Sequence, residues 1–148
     1  MENLLFLVEQ YRLEDSVGYL LSRSRARLAK ALDAALLEHD ITHSQAGVLL
    51  LLASGNYTTA AELVREIYTD AASMARMLDR MQKRGFVAKF PDTGDRRQQH
   101  LRLTEEGAAL AAQLPLIMTT VLNTQFEGFS AEEIGFLKSL LRKFLSKE

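Results

Sequence analysis

The fold is decided by residues 71–87, which read AASMARMLDRMQKRGFV. Apolar side chains recur there at helical spacing, which predicts an amphipathic helix with one buried side. Asp70 stands directly before the stretch and can cap the first turn, while Gly85 suits the residue that follows the end of a helix. The residues of the predicted buried side are Met74, Met77, Leu78 and Met81.

The other side of this predicted helix is polar and basic. Ser73, Arg76, Arg80 and Lys83 follow one another at helical intervals, so they line one face, away from the methionines. A helix fits the major groove of DNA, where arginine most often makes a bidentate contact to guanine. The pattern therefore predicts a face that contacts DNA, although an ordinary solvated helix face has the same pattern.

Three further helices are predicted ahead of this one. Apolar residues recur with a period of about 3.6 over residues 17–35, which predicts a long amphipathic helix. Residues 42–45, Thr-His-Ser-Gln, have the form of a capping box and precede an apolar run to Ala53. Thr59 begins a second box before a short helix that extends to about Ile67.

A β-hairpin is predicted after Gly85, where the helical spacing ends. Residues 86–90 and 99–103 are strand-like, and the residues between them begin with a turn composition, Pro-Asp-Thr-Gly-Asp at 91–95. Helices followed by a hairpin are the order of a winged helix-turn-helix, a mainly α fold with one small β-hairpin. In this fold a helix enters the major groove and the hairpin, or wing, reaches the neighbouring minor groove.

Two helices are predicted after the hairpin. Thr104 caps the first of them, and Glu105 and Glu106 match the positive end of its dipole. Pro115 falls inside this apolar stretch and is expected to kink or break the helix. The capping box Ser-Ala-Glu-Glu at residues 130–133 begins the last helix.

The charges are segregated along the chain. The 148 residues carry a formal net charge of −1 at pH 7. Residues 69–103 contain eight basic and four acidic residues and so carry +4, which leaves −5 for the remainder. A basic segment on a mildly acidic protein is typical of a local contact with a polyanion.

The composition excludes several kinds of chemistry. The chain has no cysteine, which excludes disulfides, zinc–thiolate sites and thiol nucleophiles. His39 and His43 do not lie on one continuous predicted helix, so we expect neither a metal site nor a cofactor. Phosphate-loop and hydrolase motifs are absent, so we expect no enzyme. The apolar run at 4–8 is too short for a signal peptide or a membrane span, and we expect a cytoplasmic protein.

Two motifs occur together in this chain. One is the stretch at 71–87, and the other is the predicted wing tip Asp-Thr-Gly-Asp-Arg-Arg at 92–97, which Leu-Thr-Glu-Glu-Gly follows at 103–107. They resemble the recognition helix, first wing strand and wing signature of the MarR family, the bacterial multiple-antibiotic-resistance-type transcription regulators. With the flanking long helices, the resemblance extends over nearly the whole chain.

The resemblance implies a single chain, 1–148, with two functional regions. Residues 42–103 would form the winged helix-turn-helix DNA-binding region, and residues 1–38 and 105–148 would form a helical dimerisation region with a second copy. The apolar run near the N-terminus and the apolar stripe at 134–145 agree with an obligate homodimer, because a compact monomer of this length would not readily bury them.

The resemblance also assigns roles on the predicted recognition helix. Arg76 matches the family's base-contacting arginine. Ser73 and Thr59, near helix N-termini, would hydrogen-bond phosphates with help from backbone N–H groups. Arg80 and Lys83 belong to the same predicted DNA-binding set.

Three residues at the predicted wing tip complete that set. Arg97 matches the arginine that relatives insert into the minor groove, where A·T-rich DNA concentrates negative potential. Asp95 would orient the wing through an ion pair, or would act as an ordinary Asx-turn residue. Arg96 would contact a phosphate or make no contact.

These features predict a sequence-specific DNA-binding transcriptional regulator. The resemblance implies a homodimeric repressor that binds a pseudo-palindromic operator in double-stranded DNA. A small anionic or aromatic ligand would release it, and the sequence does not identify the residues of the ligand site. The alternative is a helical protein–protein interaction module whose basic segment contacts an acidic partner. A small enzyme is disfavoured because the catalytic motifs are missing.

Overall fold

The computed structural model describes residues 4–67, 69–95 and 97–147, and this part of the chain is mainly helical. Its α-helices, in chain order, are α1 (Val17–Leu36), α2 (His43–Ala53), α3 (Ala60–Ile67), α4 (Ala71–Lys83), α5 (Glu105–Gln125) and α6 (Ala131–Leu145). Its strands, β1 (Val87–Pro91) and β2 (Gln99–Leu103), form one antiparallel hairpin. The predicted fold class, mainly helical with a small β-hairpin, is confirmed.

Side-chain caps determine where the helices begin. Thr42 Oγ1 accepts the backbone N–H of Gln45, and Gln45 Oε1 accepts that of Thr42, so the capping box predicted for α2 is complete. The box at the start of α6 is complete as well. The box predicted at Thr59 forms only in part, because the Glu62 carboxylate accepts the backbone N–H of Thr58 and not that of Thr59.

The sequence predicts a kink or a break at Pro115; helix α5 is continuous through this residue, so the break is wrong and the kink stays a prediction. Proline has no amide hydrogen, and the helix therefore lacks one backbone hydrogen bond to the carbonyl of Ala111. The loss is confined to that turn, and the residues just before Pro115 remain anchored in the protein interior, where Leu110, Ala111 and Leu114 are buried.

Helix α5 is also long and apolar enough to cross a membrane, by length and composition alone. Its first turn carries Glu105 and Glu106, and its N-terminal half contributes buried residues to the protein interior. The core helix of a folded domain meets the same length and composition test. The N-terminal half of α5 is such a core helix.

One hydrophobic core joins α2, α3, α4, the hairpin, the C-terminal end of α1 and the N-terminal half of α5. The buried side chains at its centre include Leu49, Leu63, Leu78, Val87 and Leu114. Met74 and Met81 are buried and Met77 is half-buried, which confirms the predicted inner side of α4. Because this side is fixed in the core, the opposite side of α4 must face outward.

The hairpin begins one residue later than the sequence predicts. Val87 is the first paired residue of β1 and lies opposite Leu103. The backbone N–H of Phe86 donates to the carbonyl of Met81 at 3.0 Å, and Gly85 has a φ of 80°. Phe86 therefore belongs to the turn that ends α4, where the left-handed conformation of glycine reverses the chain.

Both ends of the described chain expose large apolar side chains. Helices α1 and α6 are described along their whole length. Among these described residues, none of α6 is buried, and Leu36 is the single buried residue of α1. Phe6 is 75% exposed and Phe136 is 67% exposed. Other exposed apolar side chains in these segments are Leu4, Leu5, Val8, Tyr11, Leu13, Val17, Leu140, Phe144 and Leu145. The single chain thus leaves an extensive apolar surface uncovered.

Candidate nucleic-acid interface

The outer face of α4, formed by Ser73, Arg76, Arg80 and Lys83, is presented to solvent. The three basic side chains are exposed and Ser73 is half-buried. The buried methionines and leucine on the opposite side prevent the helix from rotating. Three cations and one hydroxyl therefore share one surface of a helix, the arrangement needed for contacts in a major groove.

A chain of hydrogen bonds organises the start of this face. Asp70 Oδ1 accepts the backbone N–H of Ser73 at 2.7 Å, and Asp70 Oδ2 accepts the Ser73 hydroxyl at 2.8 Å. Ser73 Oγ in turn accepts Arg76 Nη2 at 3.1 Å. Ser73 therefore orients Arg76 in the unbound protein. A phosphate contact by Ser73 requires its hydroxyl to turn away from Asp70.

These contacts favour the ionised form of Asp70. The backbone N–H and then the hydroxyl of Ser73 lower the pKa of this carboxyl below its usual value, and the charge of Arg76 acts in the same direction. A carboxyl whose pKa is lower in the folded chain stabilises folding above its unfolded-state pKa, and this contribution is lost as the pH falls through the folded-state pKa.

We expect Asp70→Asn to lower the urea midpoint of unfolding at neutral pH. Asparagine retains a capping oxygen but carries no charge to interact with Arg76 and the N-terminus of α4. The difference between the two proteins should begin to shrink as the pH falls below the unfolded-state pKa of about 4, and should disappear once the pH has passed through the lower folded-state pKa, where the wild-type carboxyl is neutral as well. Urea unfolding of both proteins across this range tests the prediction, and a difference that does not change with pH would contradict it.

The wing, residues 87–103, presents Arg97 to solvent at its tip. Asp95 Oδ1 accepts the backbone N–H of Arg97 at 3.0 Å, and the Asp95 carbonyl accepts that of Gln98 at 3.1 Å. Asp95 is thus an Asx-turn residue, because its carboxylate bonds to the turn's own amide. The ion pair predicted for Asp95 is not found in the part of the wing that the structure describes. Arg96 lies outside the described residues.

Three contacts attach the wing to the rest of the domain. Lys89 Nζ of β1 lies 3.2 Å from Asp79 Oδ1 of α4. The backbone N–H of Leu101 in β2 donates to the Thr58 carbonyl at 2.6 Å, and His100 Nδ1 lies 3.0 Å from Thr58 Oγ1. One strand is therefore tied to α4 and the other to the segment before α3, which gives the wing a set position beside α4.

Thr59 is separate from the outer face of α4. It is 8% exposed, and its hydroxyl oxygen accepts the backbone N–H of Glu62 at 3.3 Å. Its side chain therefore acts as a helix cap in the unbound protein. The phosphate contact predicted for Thr59 from its place near a helix N-terminus stays a prediction.

The contacts of Arg84, between α4 and Gly85, are not predicted from the sequence. The guanidinium donates to the backbone carbonyls of His39, at 3.1 Å, and Asp40, and its central carbon lies 4.8 Å from the centroid of the Phe86 ring. A basic residue at the end of a helix is a signal for carbonyl contacts. The carbonyls contacted here stand 44 and 45 residues earlier, where no local pattern identifies them.

His43 connects the start of α2 to α1. Its Nδ1 lies 2.9 Å from Asp33 Oδ1, which also accepts the His43 backbone N–H at 2.7 Å. Partial burial raises the pKa of Asp33, but the bonds from His43 and its charge outweigh this and bring the pKa below its usual value. Within the described ranges, no group of three or more histidine, cysteine or acidic residues is arranged to hold a metal ion.

The sequence and fold of this chain are similar to those of known proteins. A family model described as the MarR family matches residues 41–98. The multiple antibiotic resistance protein MarR of Salmonella typhimurium is 30% identical over 128 residues, which are 86% of this chain and 87% of the relative. A mutant MarR from Escherichia coli, solved with operator DNA, gives a TM-score of 0.79 at 28% identity and covers 87% of this chain and 93% of its own. The Bordetella bronchiseptica protein BpsR, whose DNA binding is described as regulated by 6-hydroxynicotinic acid, has the same fold, with a TM-score of 0.80 at 24% identity. The match covers 90% of this chain and 96% of the BpsR chain.

Proposed function

Because this chain belongs to the MarR family, we propose that it is a transcriptional regulator that binds operator DNA through its winged helix-turn-helix. The outer face of α4 enters the major groove, and the wing places Arg97 in the adjacent minor groove. The observation that carries this proposal is the division of α4 into a buried side and an exposed side that bears Arg76, Arg80 and Lys83. The E. coli relative solved with operator DNA supports the same interpretation.

The proposed roles follow the positions of the side chains. Arg76 reads a base edge and is oriented by Ser73, while Arg80 and Lys83 continue the positive charge along the groove. Asp95 holds the turn that carries Arg97. The proposed DNA-binding set also includes Thr59 and Arg96.

The proposed functional form is a homodimer. The apolar surface exposed by residues 4–13, α1 and α6 forms the interface, so residues 1–38 and 105–148 are the dimerisation region and residues 42–103 the DNA-binding region. Two copies related by a two-fold axis present two α4 helices. The operator is accordingly pseudo-palindromic, with half-sites about one helical turn, or about 34–36 Å, apart.

Sedimentation is expected to find a dimer at micromolar concentration. Phe144→Asp places a charge on the apolar stripe of α6 and should shift the equilibrium towards monomer, because the charge would be desolvated in the interface. Lys143→Asp, at an exposed position off the apolar stripe of the same helix, is the matched control and should leave the dimer intact. A well-folded wild-type monomer at this concentration would refute the dimer.

We further propose that the protein is a cytoplasmic repressor, not an enzyme, and that a small anionic or aromatic ligand releases it from DNA. Release requires no blocked DNA surface. The half-site spacing must match the helical repeat, so a small change of angle between the dimerisation helices and the winged domains is enough to weaken binding. Substitutions on the outer face of α4 should therefore reduce DNA binding while leaving ligand affinity unchanged.

The alternative of a protein–protein interaction module is not favoured. An acidic partner would account for the charge of α4, but the wing signature and the operator-bound relative both favour DNA. An acidic protein also lacks the regular phosphate spacing that a helix and a wing can follow together.

Binding to the DNA upstream of the protein's own gene tests the proposed function. The affinity should fall steeply between about 50 mM and about 200 mM salt, because each phosphate that the protein neutralises releases a condensed counterion. An unrelated duplex of the same length is the control and should bind more weakly at both concentrations. Equal, weak retention of both duplexes would favour the acidic-partner alternative.

A further inference from the structure

We propose that Arg84 is a positioning residue that sets the angle between α4 and the dimerisation helices, and thereby the half-site spacing that the dimer accepts. The inference rests on the proposed function, since spacing has a meaning only for a dimer on a two-part operator. It adds a residue that touches no DNA to those that determine which operator is bound.

The first observation is how Arg84 connects the end of α4 to the end of α1. Its guanidinium reaches two consecutive backbone carbonyls, those of His39 and Asp40. These residues end a 3₁₀ turn, Leu37–His39, that directly continues α1. Asp40 closes the turn with a left-handed φ of 52° and donates its N–H to the Leu37 carbonyl at 3.0 Å. The two carbonyls are therefore fixed to α1, and the planar arginine fork spans both.

The second observation is that the turn at residues 84–86, which ends α4, is also held by the start of α5. Thr104 Oγ1 donates to the Gly85 carbonyl at 2.5 Å, and the Thr104 backbone N–H donates to the Phe86 carbonyl at 3.0 Å. Gly107 of α5 lies so close to this carbonyl that a Cβ there would overlap it. The turn that ends α4 is thus held between the end of α1 and the start of α5.

The third observation is that the Arg84 side chain is supported in its bridging position. Its central carbon lies 4.8 Å from the Phe86 ring centroid, within the range of a cation–π contact. Phe86 immediately precedes β1, so the wing begins directly after the turn at residues 84–86. This turn is the junction of α4 with the end of α1 and the start of α5. A shift of this junction relative to α1 therefore moves α4 and the wing together.

The geometry of DNA turns this junction into a control of spacing. Inserting one base pair between half-sites moves them apart by about 3.4 Å and rotates one against the other by about 35°. If the α4 helices are rigidly attached to the dimerisation helices, both can enter their half-sites at one spacing only. A dimer that lacks the Arg84 bridge should bind operators with several half-site spacings, each with a lower affinity than the wild type has for its best spacing.

Two arginine-to-lysine exchanges separate this role from that of charge. Arg84→Lys keeps the positive charge, and so the general attraction to DNA, but removes the fork that spans two carbonyls. Arg102→Lys is the matched control. The Arg102 guanidinium also lies over a phenylalanine, 5.4 Å from the Phe90 ring centroid, but it contacts no backbone carbonyl among the described residues.

The experiment measures the Kd of each protein for a series of duplexes that carry the same half-sites at different spacings. We expect the wild type and Arg102→Lys to lose at least about tenfold in affinity when one base pair is added or removed. For Arg84→Lys the best affinity should fall by about threefold to tenfold, and the penalty for one base pair should shrink to less than about threefold. An unchanged profile, or a loss equal at all spacings, would overturn the inference.

A second measurement does not depend on DNA. The chain has no cysteine, so Gln82→Cys, at an exposed position of α4, accepts a single spin label per copy. Arg84→Lys should broaden the distribution of distances between the two labels of the dimer, and Arg102→Lys should not. An equally narrow distribution in Arg84→Lys would overturn the inference. Wild-type protein that gives no dimer distance, or binds no duplex, would instead refute the proposed function.

Discussion

Gly107→Ala is expected to destabilise the folded chain by about 2–3 kcal/mol. The added Cβ would overlap the Phe86 carbonyl oxygen and would lie 2.9 Å from its carbonyl carbon. Phe86 is not free to move away, because its backbone bonds to both Met81 and Thr104. Alanine is the better helix former by about 1 kcal/mol, so the steric cost must exceed this gain to reach the expected net effect.

The matched control for this prediction is Gly135→Ala in α6. Gly135 is exposed, and nothing lies within 4 Å of a Cβ built there. Alanine should stabilise the chain at this position by about 0.5–1 kcal/mol, as expected for an open helical site. Urea unfolding of both variants should therefore give changes of opposite sign. Stabilisation by Gly107→Ala would show that α5 does not approach the turn as closely as described.

Arg76→Ala should weaken operator binding by about 1–3 kcal/mol, which is about 5-fold to 150-fold in Kd. Because Arg76 is placed in the major groove, its loss should relax the base preference at one position of each half-site. Arg97→Ala should instead reduce the preference for A·T-rich flanks and leave the half-site preference intact. Both substitutions should lower the salt dependence of binding, since each removes a positive charge from the interface.

A binding selection on randomised half-sites and flanks distinguishes these outcomes. Asp95→Ala should behave as a milder form of Arg97→Ala, because it removes the acceptor for the Arg97 backbone N–H and so loosens the turn at the wing tip. Arg142→Ala removes an equal charge from the last turn of α6, outside the proposed DNA-binding set, and should change neither preference. Loss of the flank preference in Arg76→Ala, or its retention in Arg97→Ala, would contradict the placement of the wing.

The sequence predicts those parts of the fold that depend on neighbours along the chain. The caps at Thr42 and Asp70 and the left-handed Gly85 each involve partners within a few residues, and all three are found in the structure. The exposed position of Arg76 follows from helical spacing in the same way. These features could be predicted because one local hydrogen bond or one repeating interval determines each of them.

The rest depends on contacts between distant segments. The burial of Thr59 and the continuity of α5 through Pro115 are decided by packing, which local propensity does not describe. The Arg84 bridge joins residues separated by more than 40 positions. Asp95 shows a subtler limit, because a carboxylate before an arginine suits both an ion pair and an Asx turn, and the backbone amide is its partner here.

The length of α5 gives it the mechanical property of a lever. Its first turn is fixed to the junction at the end of α4, while its 21 residues form a rod about 31 Å long. A tilt of about 6° about one end of such a rod displaces the other end by about 3.4 Å, the rise of one base pair. A slight change of angle at the far end of this helix would thereby displace its first turn, and the turn that ends α4 with it, by a distance comparable to the rise of one base pair.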